Sequence, residues 1–152
     1  MIVYRLSKST YANDLTGKGA ETAGGRWNNK GTSLIYTCGS RALCLAEVMV
    51  HIPSDSLLVD YSMITLEVPD KKMQTLLPPD LPENWRTIPA PSSTRQIGDE
   101  FCRANLHLVL KAPSVIVPEE YNYLINPKHP DIGRVKIIQI QPFTFDTRFF
   151  KT

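Results

Sequence analysis

The sequence predicts a single compact α+β domain with more strands than helices. Segments that alternate apolar and polar side chains, or are rich in β-branched residues, recur from end to end, whereas only two segments carry a helical period. With 152 residues the chain is the size of one domain and long enough to bury one ordinary core. Strands and helices do not alternate regularly, and no internal repeat or low-complexity segment interrupts them. The pattern therefore favours a mixed or antiparallel sheet over a doubly wound parallel one.

In chain order, residues 2–6 read as a short strand, and the polar stretch that continues to Gly19 has no helical period and reads as a loop. Gly24-Gly25-Arg26-Trp27-Asn28, the turn signal Asn29-Lys30-Gly31 and Ser33-Leu34-Ile35-Tyr36-Thr37 read as two extended segments about a tight turn. That reading puts Arg26 and Tyr36 on neighbouring strands. Ser40 can cap a helix running from Arg41 to about His51, which Pro53 keeps from continuing. On it Leu43, Ala46, Met49 and Val50 form the apolar side, and Ser40, Cys44, Glu47 and His51 fall on one narrow stripe.

A strand is expected over residues 57–68, where Ile64, Leu66 and Val68 alternate with Thr65 and Glu67. Prolines at 78, 79, 82, 89 and 91 make residues 77–91 an irregular connection, with Trp85 pinned by packing. Ser92-Ser93-Thr94 supplies capping residues for a helix to about Leu106, with Ile97, Phe101 and Ala104 on its core face. Residues 108–110 and 115–117 are strand-like on either side of Pro113-Ser114, and residues 121–125 alternate as a strand. Asn126-Pro127-Lys128-His129-Pro130 is a turn, residues 135–140 are the last firm strand, and 143–150 would add an edge strand.

Composition excludes several classes. Seventeen basic against fifteen acidic residues leave a formal charge of +2, interspersed along the chain, which is a poor electrostatic footprint for nucleic acid. The N-terminal apolar stretch is too short for a signal peptide, and no stretch reaches the length of a membrane span, so a cytoplasmic protein without membrane contact is expected. Cys38, Cys44 and Cys102 are odd in number and lack paired spacing, as expected of small buried residues rather than a disulfide framework or a metal site.

Three residues stand out as candidates, each with a plainer reading. Arg26 follows two glycines that let backbone approach a ligand, and its guanidinium suits a bidentate grip on phosphate; it could equally stack on Trp27 or pair with a carboxylate. Tyr36 lies in an apolar strand, where tyrosine is commonly core. Glu47 interrupts an apolar helix, either as part of a solvated stripe or as the wall of a cleft. A Ser114 or Cys44 nucleophile served by His51, His107 or His129 is a further option, but local spacing supplies no partner.

Taken together, Gly25-Arg26-Trp27-Asn28, the spaced Gly31 and Tyr36, and Ala42-Leu43-Cys44-Leu45-Ala46-Glu47 resemble the N-terminal half of the RES domain. The run from Pro113-Ser114-Val115 through Tyr121-Asn122-Tyr123 to Asn126-Pro127 resembles the family's serine- and asparagine-bearing segment. The family is named for an arginine, a glutamate and a serine, which match Arg26, Glu47 and Ser114, and its opening is similar to Val3-Tyr4-Arg5.

The resemblance implies a fold similar to ADP-ribosyltransferases, with a split sheet forming a cleft for NAD⁺ as substrate rather than as a prosthetic group. It implies NAD⁺ consumption by the toxin of a toxin–antitoxin pair. Glu47 would stabilise the ribose cation, Arg26 hold pyrophosphate or a ribose-side oxygen, Tyr36 stack on substrate, and Ser114 and Asn122 hydrogen-bond it or order the cleft. An Xre-like helix-turn-helix antitoxin would cover the cleft and carry the DNA contacts, in a complex compatible with a homo-oligomer of this chain. Three rivals remain at this point: ADP-ribosylation of a cellular protein, an RNA-targeting toxin, and a non-catalytic module in which Arg26 and Glu47 merely pair.

Overall fold

The computed structural model describes residues 1–53, 58–71 and 73–150. They form one seven-stranded sheet with three α-helices. The strands are β1 (Ile2–Lys8), β2 (Ile35–Cys38), β3 (Tyr61–Glu67), β4 (Met73–Thr75), β5 (Val109–Pro113), β6 (Tyr121–Ile125) and β7 (Lys136–Phe143), and the helices are α1 (Lys18–Ala23), α2 (Arg41–Met49) and α3 (Ser92–Ala104). The sheet order is β4-β5-β6-β2-β1-β3-β7, antiparallel except for the β4–β5 pair.

The expected α+β architecture is therefore present, and the sheet is split. β1 and β2 share one register pair, Tyr4 with Cys38, whereas β1 runs beside β3 through seven pairs, from Ile2–Glu67 to Lys8–Tyr61. The join lets β4-β5-β6-β2 fold over β1-β3-β7. Ile35, Val109 and Ile125 from the first half pack with Val3, Ile64 and Leu66 from the second. On the other face of β5 and β6, Leu110 and Leu124 pack with Trp27, Trp85 and Phe101, so α3 and the proline-rich connection cover that side and Trp85 is pinned as expected. No helix among the described residues is long and apolar enough to cross a membrane.

Ser40 caps α2 as its position predicts, accepting from the Leu43 amide at 3.1 Å. The core side of α2 is Leu43 and Cys44, which cluster with Leu6, Cys38, Met63 and Phe145. Val50 is exposed and Cys44 buried, so the expected apolar side is rotated toward the Cys44–Glu47 stripe. In α3 the buried positions are Thr94, Gly98 and Phe101, and Ala104 is exposed instead. A Cβ at Gly98 would sit 1.6 Å from the Trp27 carbonyl oxygen, so only glycine lets α3 lie this close to the Trp27 backbone. Residues 92–94 lie inside the first turn of α3 rather than capping it. Thr94 Oγ1 donates back to the Pro91 carbonyl.

Other expectations are corrected by tertiary contacts. The polar stretch before Gly24 holds α1, a six-residue helix too short for a periodic signal, and a 3-10 turn at Ser9–Tyr11. Residues 115–117 are not a strand, because Ser114 Oγ accepts from the amides of Ile116 and Val117 and turns the chain. Residues 147–150 form a 3-10 turn, with Phe145 folded against Tyr61 and Phe143, so no edge strand follows β7. The short β4 carries no alternation of its own and is set by pairing with β5. Leu57, where the third strand was expected to begin, lies outside the described residues; the observed strand starts at Tyr61.

Candidate active site

Glu47 projects from α2 toward β6 and the turn after β5. Its Oε1 accepts from Asn122 Nδ2 at 2.7 Å and from Ser114 Oγ at 3.1 Å. Both donors are buried, with Ser114 2% and Asn122 8% exposed, so the carboxylate is oriented by groups that themselves cannot wander. Ser114 is fixed in turn by the Ile116 and Val117 amides at 3.1 and 3.2 Å. Three residues far apart in sequence thus meet; of the expected stripe Glu47 faces these polar groups, whereas Cys44 is buried in the apolar cluster and His51 is exposed.

Glu47 makes no salt bridge among the described residues. Its hydrogen-bond partners are neutral side chains. Asn122 Oδ1 is buried with no hydrogen-bond partner, the one orphaned side-chain acceptor among the described residues.

Arg26 does not sit on a strand beside Tyr36. Gly25 and Asn28 form one isolated bridge, closed by the Gly25 amide on the Asn28 carbonyl at 3.0 Å, and the strands beside β2 are β1 and β6. Arg26 therefore projects from a tight loop. Its Nη1 donates to the carbonyls of Trp85 at 2.8 Å and Thr87 at 3.1 Å, in the proline-rich connection. Partial burial pulls its pKa down, opposed by the charges of Glu47 and Tyr36. The guanidinium and the Glu47 carboxylate sense one another without forming an ion pair, unlike the paired arrangement a purely structural module would use.

The Tyr36 hydroxyl is turned into the same loop, accepting from the Trp27 amide at 3.1 Å and donating to Asn28 Oδ1 at 2.7 Å. Burial pushes its pKa well above that of an ordinary tyrosine. Asn28 was legible only as part of a motif, and its engagement with Tyr36 is new. Arg5, at the matched opening, is a partly buried tie from β1 to the Asp14 carbonyl at 2.5 Å. The histidine alternatives do not assemble: His129 caps the Asp131 amide, and Ser114 meets Glu47 and two amides rather than an imidazole. A depression of about 580 Å³ borders the Arg26 loop at Gly24, Gly25, Asn29, Lys30 and Arg95, and none of Tyr36, Glu47, Ser114 and Asn122 lines it.

The family model of the RES domain matches residues 2–146, which include every residue of this site. The chain belongs to the RES domain family. Among relatives of this RES chain, a Yersinia enterocolitica protein named Toxin Res is 41% identical over 97% of this chain and 99% of its own length. A Sphingobium protein named Prs ADP-ribosylating toxin is 37% identical over 92% of this chain and 89% of its own. In the crystal structure of the M. tuberculosis MbcT–MbcA toxin–antitoxin complex, one chain superposes with a TM-score of 0.75 at 20% identity, covering 94% of this RES chain and 84% of that chain. The RES assignment thus agrees with the fold.

Proposed function

We propose that this protein is the toxin of a toxin–antitoxin pair and that it consumes NAD⁺ by cleaving the nicotinamide–ribose bond. The observation that carries the reading is the Glu47 carboxylate, oriented by two buried neutral donors and free of any ion pair among the described residues. Cleavage sends the bonding electron pair out with nicotinamide, which leaves as a neutral ring, and leaves positive charge on the ribose carbon and ring oxygen. A fixed anion beside that carbon stabilises charge that exists only in the transition state. An acceptor oxygen then adds to the same carbon and releases its proton. The names of the relatives, and the toxin–antitoxin complex that shares the fold, support the biological setting.

Arg26 holds the pyrophosphate, its fork preset by the two carbonyls that take Nη1. Ser114 and Asn122 order the carboxylate and border the substrate, and Tyr36, its hydroxyl already engaged, offers ring surface. The partner is an antitoxin of Xre-like helix-turn-helix type that covers the cleft, and the site of action is the cytoplasm, where NAD⁺ is plentiful. A second reading, transfer of ADP-ribose to a protein, is favoured by the name of the Sphingobium relative.

The test is NAD⁺ concentration over time with the purified protein and its Glu47→Gln variant, with and without phosphate, beside a label-transfer assay on cell extract. Nicotinamide release by the unmutated protein alone supports the reading, and phosphate dependence names the acceptor. Labelled protein without bulk NAD⁺ loss replaces it with the second reading.

A further inference from the structure

We propose that Asn28 is a positioning residue that holds the Arg26 loop in its working shape; this rests on the reading of Arg26 as a ligand-gripping group. Asn28 is wholly buried, yet every polar atom of its side chain is used. Nδ2 donates to the carbonyls of Ala20 at 2.8 Å, Asn29 at 3.1 Å and Thr32 at 3.1 Å, and Oδ1 accepts the Tyr36 hydroxyl at 2.7 Å. An amide has two N–H groups, so three carbonyls share them. One side chain thereby ties the middle of α1, the turn before β2 and β2 itself to the loop that carries Arg26.

The need for such a tie follows from the local backbone. Arg26 has no strand beside it to fix its direction, only the Gly25–Asn28 bridge. Side chains must do what a sheet ladder does elsewhere. Tyr36 closes the second side by accepting the Trp27 amide, and the fit is close: a Cβ on Gly25 would stand 2.6 Å from the Tyr36 hydroxyl. The next residue is pinned from α3. Asp99 accepts from the Asn29 amide at 3.0 Å and from its Nδ2 at 2.7 Å, while Arg95 Nε donates to Asn29 Oδ1 at 3.0 Å. Aspartate at position 28 has no N–H to offer the three carbonyls, and alanine offers neither donor nor acceptor.

The test is a double-mutant cycle with Asn28→Ala and Arg26→Ala, read as kcat and KM for NAD⁺ loss well below each variant's unfolding temperature. Growth arrest on expression serves as the activity readout if free NAD⁺ is not consumed. In parallel, amide hydrogen exchange is followed over residues 24–29. Asn28→Ala should lower kcat/KM about tenfold or more with Arg26 present, the scale of one or two lost hydrogen bonds, and hardly at all with Arg26 absent. Exchange at 24–29 should rise while β5 and β6 stay protected. Tyr36→Phe, which removes the bond to Asn28 Oδ1 and the bond from the Trp27 amide but leaves the three carbonyl bonds of Asn28, should give a smaller rise in exchange and keeps the test decisive if Asn28→Ala does not fold. Equal losses in both Arg26 backgrounds, or unchanged exchange at 24–29, would overturn the proposal. An unmutated protein inert toward NAD⁺ would sink the proposed reaction instead, leaving growth arrest and exchange to decide the role of Asn28.

Discussion

Replacing Glu47 by glutamine separates charge from shape. The amide oxygen can occupy the place of Oε1 and still accept from Asn122 and Ser114, so the geometry of 2.7 and 3.1 Å survives while the negative charge goes. A unit charge ~4 Å from a developing cation, at an effective dielectric of ~20, contributes about 4 kcal/mol. At 1.36 kcal/mol per decade, turnover should fall roughly a thousandfold. Stability should change much less, because two charge-assisted bonds become neutral ones for about 1–2 kcal/mol, a midpoint shift under about 8 °C in a chain of this size. Nicotinamide release gives kcat and KM, and thermal unfolding monitors the fold. A Glu47→Gln protein that stays folded and turns over within a factor of ten of the original would refute the electrostatic argument. A fall in KM-dependent binding with kcat preserved would refute it too.

Other substitutions probe the supports. Ser114→Ala removes the acceptor of two partly buried amides as well as a Glu47 donor, and should destabilise by about 1–3 kcal/mol in denaturant titration; an unchanged midpoint would show that the turn holds without it. Arg26→Lys loses the fork held by Trp85 and Thr87, and kcat/KM should drop roughly 10–100-fold with the fold intact. Gly98→Ala drives a methyl into the Trp27 carbonyl and should cost about 3 kcal/mol or more, visible as a lower unfolding midpoint. For Asp99, burial raises the pKa, but the bonds from Asn29 lower it further, leaving it below the usual carboxylate range. Its stabilisation is therefore complete above the unfolded value of about 3.9 and fades as pH falls through the lower folded value. Stability–pH curves of Asp99→Asn should show a shallower acid limb, and identical limbs would remove Asp99 from the account.

Much of the fold was legible because its signals are local. Ser40 before an apolar helix, and the alternation at 121–125, specify their elements with little help from elsewhere. The misses are short pieces. β4 is set by pairing with distant β5, α1 is too short to show a period, and the turn at Ser114 is made by its hydroxyl accepting the nearby Ile116 and Val117 amides. The candidate residues Arg26, Tyr36, Glu47, Ser114 and Asn122 came from ordered motifs; the structure brings Glu47, Ser114 and Asn122 together and Tyr36 to the Arg26 loop. Arg26 was misplaced onto a strand because two glycines and a turn signal look like a hairpin, while the tie through Asn28 depends on carbonyls of Ala20 and Thr32 that no periodicity reveals.

The split sheet has a thermodynamic corollary. α2 is seated on Leu6 and Met63 of one half-sheet and on Cys38 of β2 in the other, and Ser114 and Asn122 belong to that second half, so the bonds to Glu47 add to the strand-register pair and the apolar packing that hold the two halves together. Occupancy and cohesion are then the same variable. Any molecule that binds only when the two halves are in register draws the whole population toward that state by mass action, by an amount that grows with the logarithm of its concentration over its dissociation constant.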